Sequence, residues 1–143
     1  MVRRRNSPPP REVLAALREI FGEDAAHVRV IERSTYARLH AGARATTRRN
    51  RILLRGSAES FWRDPELVLH EYFHVLRQWN RGRMNLWGYL AEWSRRGYWD
   101  NRYERQARRF VGLRLAAFRR ALIGSASGFE PTRRFNLLDE PPA

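Results

Sequence analysis

The chain has 143 residues, no cysteine and a formal net charge of +13, with every one of its 28 basic residues an arginine. That length suits one domain with one real core, and 43% hydrophobic residues with five tryptophans exclude a disordered chain. The missing thiols exclude disulfides, cysteine-ligated metals and cysteine nucleophiles.

Residues 1–9 combine three arginines with a proline run and read as a disordered or polyproline-like arm. No apolar segment follows it, and no apolar run approaches the ~18 residues of a membrane span. The expectation is a cytoplasmic protein by default, with no membrane partner; export by a route that leaves no N-terminal signal stays open. Pro10 opens a helix to about Gly22, its apolar positions (Val13, Leu14, Leu17, Ile20, Phe21) recurring at helical spacing. Alternation over 27–32 predicts a strand, and 34–39 a short helical turn. Two further strands are expected at 43–47 and 51–54, joined as a hairpin through Arg48-Arg49-Asn50, with a loop at 56–60. Asp64-Pro65-Glu66 is a helix start, with N-cap, N1 proline and an early acid, and the helix should run to about Trp79. Further helices are expected at 85–96, closed by Gly97, and at 101–123, closed by Gly124-Ser125. The division is thus an arm at 1–9, one domain at 10–124, and a tail at 125–143 that carries Phe129, Phe135, Leu137 and Leu138.

The helix expected from Asp64 to about Trp79 carries His70-Glu71-Tyr72-Phe73-His74, the HExxH pattern. Residues i and i+4 of a helix stand one above the other, roughly 6 Å apart, so both imidazoles can reach one ion. Glu71 lies about 100° round the helix, near such an ion yet badly placed to ligate it, and suited to take a proton from metal-bound water. Two surface histidines on an ordinary helix would be the bland alternative. Against it, Leu69, Phe73 and Leu76 make one apolar stripe and Val68, Tyr72, Val75 and Trp79 another, leaving Leu67, His70, Glu71, His74 and Gln78 as the remaining face. Buried histidines and a buried carboxylate need partners.

A catalytic zinc usually has three protein ligands and one open position. His27, His40 and the acids are the candidates for the third. Glu104 stands out because it heads the stripe Ala107, Val111, Leu115, Phe118, Leu122 of the last helix, where an ionised carboxylate needs a cation. The competing reading is a capping box, with Asn101 as N-cap and Glu104 reaching back to its backbone N–H.

Taken together, His70-Glu71-Tyr72-Phe73-His74-Val75 with Gln78-Trp79, Gly97-Tyr98 and Asn101-Arg102-Tyr103-Glu104-Arg105-Gln106-Ala107 resemble the small gluzincin-type metallopeptidases over about residues 26–118. The resemblance is to minigluzincins and to the short zincin domains of contractile-injection-system-associated proteins; Arg102 stands where that group often has proline. It implies an α+β fold, mainly helical, with a small, mostly antiparallel sheet packed on the HExxH helix. It implies Zn²⁺ held by His70, His74 and Glu104, with Glu71 as general base, and a peptide or protein as substrate. It also implies that Arg51–Leu54 is the edge strand along which an extended peptide pairs, and that the tail segment 129–138 is a candidate to fill the cleft and keep the enzyme latent.

For the oxyanion, Tyr98, Tyr103 or an arginine are the candidates. Two other readings stand beside the peptidase. The +13 charge would suit a nucleic-acid-associated zincin acting on DNA-bound proteins, although a codon bias that replaces surface lysine by arginine gives the same composition. A non-catalytic zinc-fold binding protein or effector component would have no use for Glu71.

Overall fold

Pro10 precedes α1 (Arg11–Phe21), whose Val13, Ala16 and Leu17 are buried. The computed structural model describes residues 5–35, 37 and 44–126. A 3-10 turn, Glu23–His27, leads into β1 (Arg29–Ile31); then come β2 (Ala45–Arg48) and β3 (Arg51–Leu54). Helices follow as α2 (Ala58–Trp62), α3 (Pro65–Phe73), α4 (Leu86–Asp100) and α5 (Arg102–Ala126). The architecture is α+β and mainly helical, as expected. No described helix is long and apolar enough to cross a membrane.

The sheet departs from expectation. Its order is β1-β3-β2, with β1 parallel to β3 and β2 antiparallel to it. It is therefore mixed rather than mostly antiparallel, and Arg51–Leu54 is the central strand, not an edge. Alternation encodes which face is buried but not which strand pairs with which. The apolar Ile52 and Leu54, 0% and 2% exposed, take the most enclosed place. The arm also departs from the expected disorder: Asn6 bridges Ile31, and Ser7 N donates to Val30 O at 2.8 Å, covering the outer edge of β1. Among the described residues, only β2 keeps an open edge.

The β2–β3 hairpin turns through Arg49-Asn50, with Asn50 at φ 58, as the sequence suggests. Asn80 clamps the turn: its Oδ1 accepts from Asn50 N at 3.0 Å and its Nδ2 donates to Asn50 Oδ1 at 2.6 Å. This ties the sheet to the far end of the motif helix. The expected loop at 56–60 is instead α2, capped by Ser57 Oγ and anchored by the buried Ala58 and Phe61. Five residues are too few to show a helical period.

Asp64 Oδ1 accepts from Leu67 N at 3.1 Å, so α3 starts where its cap signal lies. Past Phe73 the rod widens into a π-helical turn, His74–Trp79, with Asn80 N bonded to Val75 O five residues back. α5 packs against both α1 and α3. Val68, Leu69 and Tyr72 meet Val111 and Phe118 there, and Phe110 stacks against Phe21 and Phe73 at 5.3 and 4.8 Å. Within α4 the backbone breaks at Gly97 (φ 70), the expected stop, while α5 runs past Gly124-Ser125 to Ala126. The turn expected at 34–39 falls largely outside the described residues, as do His40 and the tail segment 129–138.

Candidate metal centre

The i, i+4 spacing stacks His70 and His74 on one face of the rod, their rings 4.7 Å apart. α5 crosses this face and brings Glu104, at its first turn, onto both. Glu104 Oε2 lies 2.9 Å from His70 Nε2, Glu104 Oε1 lies 3.2 Å from His74 Nε2, and the two Nε2 atoms are 3.1 Å apart. Donors on a tetrahedral zinc at 2.0–2.1 Å stand about 3.3 Å from one another. The three residues thus form a group that can hold a metal ion, and their chemistry, two imidazoles and a carboxylate, suits zinc.

Glu104 does not reach back to cap its own helix. Asn101 caps alone, its Oδ1 accepting from Tyr103 N at 2.9 Å. The capping box therefore loses to the histidines, and Glu104 and His74 are 5% and 3% exposed. Burial would raise the Glu104 carboxyl, but hydrogen bonds from His70 and His74 override it and hold the group well below the usual carboxylate range. His74 shows the converse: burial opposes its charge, yet Glu104 and Glu71 lift its pKa above the ordinary value.

Glu71 points to the same region without joining the triangle. Burial raises its pKa, against the opposing effect of His74 and His70, and Glu104 adds to the rise. Among the described residues its carboxylate takes no hydrogen bond, so it is available to a substrate or water. A base with a raised pKa is nearer the operating range for proton transfer.

Gln78 was not singled out as a partner in the sequence, and here it is the support of the site. It is 1% exposed. His74 Nδ1 donates to Gln78 Oε1 at 2.6 Å, because that oxygen can only accept; Nε2 is thereby the ring nitrogen turned to Glu104 and His70. Gln78 Nε2 in turn donates to the Tyr103 carbonyl and to Gln106 Oε1, both at 3.1 Å, tying the rod to α5. A polar residue four positions beyond His74 on the non-apolar face was the available signal.

Of the other candidates, His27 is exposed beside Asp24 at 4.0 Å, away from the triangle. Tyr103 turns its hydroxyl to Arg102 Nη2 at 2.8 Å. The Tyr98 side chain lies outside the described residues. The tyrosine that senses the site is Tyr89 of α4, its phenol pushed up to about 12 by burial and then by the charges of Glu104 and Glu71. It was missed because it sat in an apolar stripe with Leu86, Leu90 and Trp93.

No curated protein and no solved structure matches the chain. Residues 8–82 match the family model of the eCIS core domain, the core domain of extracellular contractile injection systems. The match contains α1, the sheet and the whole HExxH rod through Gln78, and stops before Glu104. Since it spans just over half of the 143 residues, the chain belongs to the eCIS core domain family.

Proposed function

We propose that the protein is a zinc metallopeptidase of gluzincin type, acting within a contractile-injection-system setting. The observation that carries this is the convergence of His70 Nε2, His74 Nε2 and the Glu104 carboxylate within hydrogen-bond distance of one another, beside the buried Glu71. Zinc held by His70, His74 and Glu104 would polarise a scissile carbonyl and lower the pKa of bound water towards ~7. Glu71 would be the base that holds the proton of the attacking water and passes it to the leaving amine. Gln78 keeps His74 in the ligating tautomer. Tyr89, whose phenol feels the charges of Glu104 and Glu71, is the candidate donor to the developing oxyanion. The edge of β2 that the described residues leave unpaired is where an extended substrate adds a strand. This replaces Arg51–Leu54 in that role, since β3 has partners on both sides.

The test is metal analysis with two variants. Wild type should carry about one zinc per chain, as a mononuclear site does. Glu71→Gln should keep the metal and lose hydrolysis of a casein or peptide substrate; Glu104→Ala should lose the metal. A metal-free wild type after growth in zinc, or full metal content in Glu104→Ala, would overturn the assignment. Full metal with no hydrolysis of any peptide would leave the zinc-fold binding protein as the reading.

A further inference from the structure

A second feature lies at the far end of β2, outside the His-His-Glu triangle. Arg48, Arg49 and Arg51 crowd the hairpin, and with Trp79, Met84 and Asn85 they line an open depression of about 510 Å³. Arg48 and Arg51 are directly opposed across the ladder. Like charges so placed oppose strand pairing. Among the described residues, Arg49 and Arg51 have no carboxylate partner.

The depression is built, not incidental. The Arg48 guanidinium sits over the Trp79 ring, 5.4 Å from its centroid, and its Nη1 donates to the Thr47 carbonyl at 3.1 Å. Trp79 is fixed in turn by its indole N–H to Thr47 Oγ1 at 3.1 Å. The Asn50–Asn80 clamp fixes the turn itself. Arginine forks held this way match a planar carboxylate.

Its position connects it to the cleft. Trp79 is five residues beyond His74 on the same rod, and β2 leads from the rod to Arg48. Arg48 covers one face of the Trp79 ring, and the indole N–H is taken by Thr47, which reduces the platform for a base. That weighs against nucleic acid, whose single strands bind by stacking on open rings.

We infer that this depression is a carboxylate-binding subsite, which receives the Asp or Glu side chain of a peptide laid along the free edge of β2. The inference rests on the reading of the cleft as a peptide site and adds the substrate class, peptides with an acidic residue close to the bond addressed by the triangle.

The test measures binding rather than turnover, on zinc-supplemented full-length Glu71→Gln. Fluorescein-labelled short extended peptides, each with one glutamate at a different position, are titrated by anisotropy beside counterparts with glutamine. At the favoured position, glutamate should bind at least about tenfold more tightly, the scale of a charge-assisted pair. Adding Arg49→Gln and Arg51→Gln should bring the ratio near one. Arg119→Gln with Arg120→Gln, which removes the same charge from α5, should leave it unchanged. A ratio near one at every position, or one that survives the Arg49/Arg51 changes, overturns the subsite. So does oligo-dT that displaces the glutamate peptide and loses affinity with the same two changes. Glutamate discrimination in protein that takes up no zinc supports the subsite while sinking the peptidase; zinc uptake without discrimination, together with hydrolysis by wild type, does the reverse.

Discussion

Replacing Gln78 with leucine would strip His74 Nδ1 of its acceptor and leave the Tyr103 carbonyl and Gln106 without their donor. Loss of such an orienting partner weakens metal affinity by about 10–100-fold, and orphaning buried polar groups costs about 1–3 kcal/mol. Competition with a chelator should show the first and urea unfolding the second. Gln78→Glu, which keeps an acceptor for Nδ1, should recover most of the affinity but not the bond to the Tyr103 carbonyl. The same residues set a pH dependence in metal-stripped protein. Glu104 titrates below its ordinary 4.5 in the fold, so its stabilisation is present above that value and fades as pH falls further. His74 titrates above its ordinary 6.5, so its contribution is present below that value and is lost as pH rises. Glu71, also raised, acts in the same direction as His74. Chelator-treated protein should therefore lose thermal stability as pH rises above 6.5, while added zinc should stabilise more strongly as pH rises, because ligation needs neutral imidazole.

At the scale of elements, the motif helix depends on Asp64. Its Oδ1 caps Leu67 N and its Oδ2 pairs with Arg44 at 2.9 Å, linking the start of α3 to the residue before β2. Asp64→Ala should cost about 1 kcal/mol through the lost cap, with little from the half-exposed ion pair; guanidinium unfolding of the metal-free protein reads this directly. Asp64→Asn, which retains a capping oxygen, should be close to wild type. The cap, the N1 proline and the stripes all lie between Asp64 and Trp79, so this element was legible. The π-helical turn after it was not, because i→i+5 bonding has no short sequence signature, and it places Gln78 under His74. Nor was α2, which is too short to show a period and exists through the burial of Ala58 and Phe61.

For the molecule as a whole, the ligands come from two helices more than thirty residues apart, so ion binding should stabilise the packing of α3 on α5. At a thousandfold excess over Kd, ligand binding adds about 4 kcal/mol, or roughly 10 °C in Tm for a chain of this size. Thermal scans with zinc and with EDTA should differ by that order for wild type and by little for Glu104→Ala. The +13 charge acts at this scale too. It should speed encounter with acidic peptides, an effect that fades as salt shortens the Debye length from ~10 Å at 0.1 M to ~3 Å at 1 M. Stopped-flow association at the two salt concentrations measures it.

Local information decided a good deal of this protein. His70 and His74 share a face because a helix has 3.6 residues per turn, Asp64-Pro65 starts that helix because its orphan N–H groups need an acceptor, and Glu104 heads an apolar stripe by the same periodicity. The order of the strands, the docking of Gln78 and the meeting of Glu104 with His70 and His74 belong to the tertiary structure alone. Strand pairing and helix docking are set by which buried surfaces meet across long stretches of chain, and a residue's own neighbours in sequence carry no record of that meeting.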